Sequence, residues 1–414
     1  MKISLIDPSL FTLPYDRALA GGLQQLGHQV TLHGRRLGPD DPSAGDLIVE
    51  PDFYRVAQSR FGLGLPRPVR LPLKGLDHAW SMQRLVRRLR RERPDVIHFQ
   101  WLPLPLIDNA MLRRLSGVAS LVLTVHDTNP FNGDPSAALQ TRAIASCMAQ
   151  FGRLIVHTAQ GWSRLREQGI PANRIVQLPH GLLSSSPEMS KAGGGAASAV
   201  AAGGDPLSGV LTLVLFGKIK PYKGADLLIE AFGRLPDAVR RQARVRIVGK
   251  SYMDLAPLRA LAERLGVSGS IELEDRFVAD EEIDGLFGPA TIAVFPYREI
   301  EASGVFFMAL AQGRPVIASN LGSFAETMAD GREGHLVPPG DVGQLTAAIS
   351  HMITDRSFAS RCGQASRAVA FAVPGWVEIA ERTVSVYRDA ALTRSSVDPI
   401  ARLDVATQPH SPAE

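Results

Sequence analysis

The sequence predicts an α/β protein built from two doubly wound domains, and three observations carry that prediction. A strand, a helix and a second strand follow one another within the first 33 residues. A segment rich in Gly, Ala and Ser, SSSPEMSKAGGGAASAVAAGGDPLSG at 184–209, interrupts the pattern midway, and the same alternation then restarts. At 414 residues the chain is also too long for one ordinary core, so two domains of roughly 150 to 200 residues are expected.

Each element follows from its residues. Residues 2–7 form a strand, and YDRALAGGLQQLGH at 15–28 is a helix with apolar positions three and four apart, ended by Gly27. Strand 30–33 follows. DVIHF at 95–99, SLVLTV at 120–125, RLIVH at 153–157 and RIVQLPHG at 174–181 are short buried-strand runs separated by helical segments. The first domain is expected at 1–185, a flexible linker or insertion at 186–209 and the second domain at 210–375. In the latter the strand runs are LTLVLF, VRIVG, SIELE, TIAVFP, PVIAS and HLVPP. From 393 onward the chain is polar and contains Pro, and a disordered tail is expected at 393–414.

Composition narrows the function. Cys147 and Cys362 are far apart and lack ligand spacing, which supports neither a disulfide framework nor a zinc site. MKISLIDPSL enters directly into a strand, and no apolar run approaches the ~20 residues that span a bilayer. A cytoplasmic protein is expected. The net charge is only +4, but QRLVRRLRRER at 83–93 concentrates arginine. That segment is either a peripheral contact with an anionic membrane or phosphate-bearing acceptor, or a solvated helix face. No aromatic residues interleave with the arginines, which argues against nucleic acid.

In an open parallel sheet, ligands bind beyond the carboxyl ends of the strands, so the loops after strands carry the chemistry. After LTLVLF come Gly217, Lys218, Lys223 and Gly224, followed by an amphipathic helix. The glycines allow a tight turn, and Lys218 and Lys223 place cations where a diphosphate would sit. A basic turn that merely caps a surface helix is the alternative. After SLVLTV come His126 and Asp127: His126 can hydrogen-bond a sugar hydroxyl or phosphate oxygen, and Asp127 can orient it or accept a proton. These two are the catalytic candidates.

The third loop lies in TIAVFPYREIEASGVFFMALAQGRPVIASNLG at 291–322, which reads as strand, acidic loop, buried short helix and strand. Ser303 and Gly304 open helix 305–311, whose first turn, with Val305, leaves backbone N–H groups open to a phosphate. Glu299 and Glu301 suit paired hydroxyls of a sugar or ribose. Carboxylates repel phosphate, so the acids must face the sugar while the lysines and the helix N-terminus face the phosphates.

With these segments in hand the chain resembles the retaining glycosyltransferases of family 4. FGKIKPYKGADLLIEAF at 216–232 is similar to their GR-x-x-x-x-KG-x-D-x-L-I-x-A-F signature, and ALAQGRPVIASNLGSFAE with GHLVPPGD continues it. RPDVIHFQW, TVHD, VHTAQGWSRL and IVQLPHG agree as well, so that nearly the whole chain is covered except the linker and tail. The resemblance implies the GT-B fold, two Rossmann-like domains facing across a cleft, with the acceptor held by the first and a nucleotide sugar by the second. It implies that Lys218 and Lys223 contact the donor diphosphate, that His126 lies near the transferred sugar, and that a final helix at 376–392 completes the first domain. It further implies a metal-independent transfer of a hexose, from a UDP- or GDP-linked donor to a glycan or lipid-linked acceptor, with retained configuration.

Two departures stand out. The family's E-x7-E motif places its second glutamate where this chain has Met308; the first falls at Ile300 by ungapped counting, or at Glu301 if the phosphate-loop glycine is matched to Gly304. Either another residue holds the ribose, or the donor binds differently, or the chain is a non-catalytic nucleotide- or partner-binding subunit. DPSLFTLPYD at 7–16 replaces the glycine-rich acceptor loop of many members. Phe11 and Tyr15 are either sugar- or lipid-contacting aromatics or core plugs, and Tyr15 and Asp16 are the acceptor-binding candidates.

Overall fold

The computed structural model describes residues 1–38, 41–128, 137–183 and 209–396. Two parallel sheets organise them. The first holds β1 (Lys2–Ile6), β2 (Gln29–Arg35), β3 (Ile48–Phe53), β4 (Val96–Phe99), β5 (Ser120–Thr124), β6 (Arg153–Val156) and β7 (Ile175–Gln177) in the order β3-β2-β1-β4-β5-β6-β7. The second holds β8 (Leu211–Phe216), β9 (Ala243–Val248), β10 (Ile271–Glu274), β11 (Thr291–Phe295), β12 (Val316–Ser319) and β13 (Gly334–Val337) in the order β10-β9-β8-β11-β12-β13. Helices cover both faces, which is why β5, β8 and β11 are buried along their whole length and read as unbroken apolar runs.

Strand order reverses between β1 and β4 in the first sheet and between β8 and β11 in the second. Chains leaving such a pair diverge to opposite sides and open a crevice at the carboxyl edge. The loops that leave these four strands begin at Asp7, Gln100, Gly217 and Pro296.

The helix Trp376–Ser396 returns to the first sheet, packing on the helix Leu13–Gln25 and against β5 and β6. Gly22 makes that contact possible, since a Cβ there would stand 2.3 Å from the Trp376 carbonyl oxygen. His98 and Tyr387 join the two ends of the chain with a 2.8 Å hydrogen bond in the core. This helix extends through Ser396, so residues 393–396 of the expected tail are helical. The remainder of that tail and residues 186–208 of the linker expected at 186–209 lie outside the described residues.

The structure also contains an edge strand, β3, that the sequence reading did not identify. Its segment IVEPDF has Glu50 and Pro51 where a buried strand would have apolar residues, a pattern tolerated only at a sheet edge.

Candidate active site

On the second sheet the loop after β8 turns through Gly217 (φ 109°) and Gly224 (φ 68°), both in the left-handed region. A Cβ at Gly217 would stand 3.1 Å from Lys223 Nζ and 3.3 Å from Val305 Cγ2. Gly217, Lys223 and the first turn of the helix Gly304–Ala311 therefore converge on one spot. The Lys223 side chain is buried there, its ammonium 5.1 Å from the Tyr297 ring centroid. Desolvation holds its pKa below the ordinary lysine value. Lys218 and Lys220 flank it, and the pKa of each is lowered first by desolvation and then by the neighbouring lysines. Three crowded ammonium groups near a helix N-terminus are a chemistry that suits an anion. Arg298 is not part of it: its guanidinium pairs with both Asp226 oxygens at 2.9 and 2.6 Å and donates to the Pro221 carbonyl at 3.0 Å, tying the two loops together.

The acidic loop departs from expectation. Glu299 is exposed and lines an outer groove with Tyr222, Met253 and Arg264. Glu301 is buried and faces the first domain instead of open cleft, accepting from Thr128 Oγ1 and, at 2.9 Å, from Arg164 Nη1. Burial raises its pKa. Glu326 reinforces the same junction, accepting from the Ala159 and Gln160 N–H groups at 2.9 and 3.1 Å. Those N–H groups open the helix Ala159–Glu167, where a carboxylate compensates both the missing acceptors and the helix dipole. Arg164 and Glu326 were not singled out from the sequence, although both lie in the segments that carry the family resemblance. Ser303 occupies the N-cap position without making a side-chain capping bond. Met308 is half-buried against the core of the second domain.

On the first sheet His126 follows β5 and is half-buried, its Nε2–H donating to Gln100 Oε1 at 3.0 Å. Its ring stacks on Trp101 (5.6 Å between centroids, 17°) and meets the edge of Tyr15 at 4.9 Å. His157 and His180 continue the wall, and His180 stacks on Phe307 of the second domain at 5.3 Å and 3°. A Cβ on Gly304 would lie 3.8 Å from His180 Cε1, so this histidine wall reaches the helix Gly304–Ala311. Burial lowers the pKa of every member, that of His157 to about 3 and that of His180 to about 4, and keeps the rings neutral. Asp127 is half-buried at the same edge, where its charge acts on Lys220 and Glu301.

The two acceptor candidates require correction. Tyr15 is buried among His126, His157, His180 and Trp376, a plug beneath the cleft. Asp16 is fully buried beside Asp7, because it shares the inward stripe of the helix Leu13–Gln25 with Leu13, Leu19, Ala20 and Leu23. Phe11 and Trp101, an edge-to-face pair at 5.6 Å, form the accessible aromatic edge. Lys218 Nζ lies 5.5 Å from the Phe11 centroid and bridges from the second domain. Among the described residues no cluster of three or more His, Cys, Asp or Glu is placed to hold a metal ion.

Two family models match the chain: "Glycosyl transferase 4-like domain" over residues 14–181 and "Glycosyl transferases group 1" over residues 211–355. An MMP alpha-(1->4)-mannosyltransferase from Mycolicibacterium hassiacum is 32% identical over 171 residues, 41% of this chain and 41% of that protein. The chain thus matches about two-fifths of the length of the first such relatives. A phosphatidyl-myo-inositol mannosyltransferase from Mycobacterium leprae is 25% identical over 415 residues, covering 96% of this chain and 99% of that one. Among solved structures, HepE from Anabaena in complex with UDP and glucose superposes with a TM-score of 0.70 at 17% identity, over 96% of this chain and 100% of that one. That likeness carries the two-domain GT-B fold. With both halves matched in sequence and the whole matched in fold, the chain belongs to the family 4 (group 1) glycosyltransferases.

Proposed function

We propose that the protein is a retaining glycosyltransferase that moves a hexose from a UDP- or GDP-linked donor to a glycan or lipid-linked acceptor, acting from the cytoplasm without a metal. The observation that carries this reading is the convergence of Gly217, Lys223 and Val305 at the start of the helix Gly304–Ala311, opposite the histidine wall. The lysines neutralise the diphosphate and stabilise its departure. With the donor phosphates on the second domain and His126 on the first, the sugar lies between them. The acceptor attacks on the face the diphosphate leaves, so configuration is retained. The likeness to an MMP alpha-(1->4)-mannosyltransferase and to a phosphatidyl-myo-inositol mannosyltransferase supports a lipid-linked acceptor. In that case the arginine-rich end of the helix Arg67–Glu92 lies toward the membrane.

The test is thermal-shift binding of UDP-, GDP- and ADP-sugars, followed by donor hydrolysis and transfer assays with whichever binds. Binding by none of them sinks the reading. Met308 favours one rival, a nucleotide-binding subunit without turnover, because it puts a thioether where the family has a carboxylate. Tight UDP or GDP binding without hydrolysis or transfer from any sugar donor decides for that rival.

A further inference from the structure

Six of the fifteen large apolar side chains exposed among the described residues lie between Phe61 and Trp80. Phe61 and Leu63 project from the short helix Arg60–Gly64, and Val69, Leu71, Leu76 and Trp80 from the first half of the helix Arg67–Glu92. At about 100° per residue, Val69, Leu76, Trp80 and Arg87 fall within about 20° of one line along that helix. The ridge is therefore apolar in its first half and basic in its second. Leu76 is 72% exposed and Trp80 51%, with the Arg84 guanidinium 4.5 Å over the indole.

Charge on this element is one-sided. From Ser59 to Glu92 the sequence has nine Lys and Arg residues and two acids, Asp77 and Glu92. Asp77 is buried, accepting from the Val56 and Ala57 N–H groups at 2.8 and 2.7 Å, so it offsets nothing at the surface. Arg88 is the internal exception among the arginines, paired with Glu50, Asp52 and Glu92. Arg87, Arg90 and Arg91 are exposed. Exposed apolar groups flanked by cations, with Glu50 and Glu92 engaged by Arg88, match an anionic bilayer interface: the apolar groups enter the acyl boundary and the cations meet the headgroups. No helix among the described residues is long and apolar enough to cross a membrane, so such a contact would be peripheral.

Position gives the contact a purpose. A helix that follows a parallel strand starts at the carboxyl edge of the sheet, so the apolar half of the ridge lies on the cleft side. Lys74 Nζ sits 4.8 Å over Tyr54, just beyond β3, and Arg35 beside it donates to the Ser9 carbonyl of the 7–16 loop at 3.1 Å. We infer that the surface formed by Phe61, Leu63, Val69, Leu76, Trp80 and the arginines at 87–91 docks the protein on an anionic lipid bilayer and presents the acceptor side of the cleft to it. This deepens the lipid-linked form of the acceptor proposed above, and it can fail separately because vesicle binding needs no substrate.

The experiment is flotation of the full chain with phosphatidylcholine vesicles, with and without phosphatidylglycerol, at low and raised salt. Wild type is expected to float with the anionic vesicles and to be released in part by salt. L76S/W80S changes only exposed positions and should weaken binding at least about tenfold. R87Q/R90Q/R91Q should lose the preference for phosphatidylglycerol. Circular dichroism and UDP- or GDP-sugar binding, unchanged in both variants, show that the fold and donor site persist. Three results overturn the inference: wild type that stays with neither vesicle, an L76S/W80S variant that floats as well as wild type, or a wild-type dimer that L76S/W80S converts to monomer without affecting flotation. Loss of nucleotide-sugar binding in wild type would sink the transferase reading and leave the vesicle result standing.

Discussion

Arg164 Nη1 lies 2.9 Å from Glu301 Oε1, so a carboxylate expected to face the donor sugar is held by the opposite domain. A donor sugar held by Glu301 would therefore compete with the domain contact for the same oxygen. Arg164→Ala should free Glu301 toward the cleft, tightening binding of the intact nucleotide sugar while leaving that of the bare nucleoside diphosphate unchanged. Calorimetry with both ligands makes the comparison, and equal loss of both affinities would show that Glu301 acts only as a clasp.

Lys223 is buried with its ammonium aimed at the Gly217 turn, and no carboxylate contributes to its pKa. Lys223→Ala should weaken nucleoside diphosphate binding by about 1–3 kcal/mol, the range for a hydrogen bond to a charged group. Gly217→Ala should do comparable harm by another route: the new methyl would stand 3.1 Å from Nζ on a backbone with φ 109°. Unchanged calorimetric affinity in Lys223→Ala would remove it from the phosphate site.

How far the sequence disclosed this site depends on which forces placed each residue. Gly217, Lys223 and Val305 were legible because a glycine turn, a helix start and a strand end are local signals, and doubly wound topology then fixes where they meet. Asp16 was misread although its place was readable: it lies three, four and seven residues before Leu19, Ala20 and Leu23 and so shares the buried stripe of the helix Leu13–Gln25. Trp101, Arg164 and Glu326 went unread for a different reason. Their roles arise between elements far apart in the chain, as in the Glu326 contacts with Ala159 and Gln160, and no local pattern encodes them.

Phe11 is 47% exposed and stands edge-on to Trp101, whose indole N–H is fixed by a 3.1 Å bond to Thr12 Oγ1. Such a locked aromatic edge suits the carbon face of a sugar ring. Phe11→Ala should raise the acceptor KM roughly tenfold, the worth of one aromatic contact, while donor hydrolysis stays the same. Steady-state transfer kinetics with the acceptor varied is the measurement, and an unaltered KM would place the acceptor elsewhere.

Asp7 and Asp16 lie fully buried side by side at the end of β1, and burial raises both pKa values, that of Asp16 further through repulsion by Asp7. The sign of the consequence follows from proton counting. A carboxyl whose folded pKa lies above its unfolded value keeps a proton that the unfolded chain has lost. Its contribution is therefore fully present below the unfolded pKa and is lost as pH rises through the folded one. Above that point a second charge is forced into the same dry site. Asp16→Asn keeps the volume and removes that charge, so the variant should melt higher than wild type near pH 8, with the gap closing toward about pH 4, the unfolded value of an aspartate. The buried neutral histidines His157 and His180 bias stability in the opposite sense, being unfavourable as pH falls below the unfolded value. They are common to both proteins, so the difference in melting temperature isolates the carboxyl pair. A gap that does not change with pH, or a wild type more stable near pH 8, would mean that the pair is satisfied as a charged site.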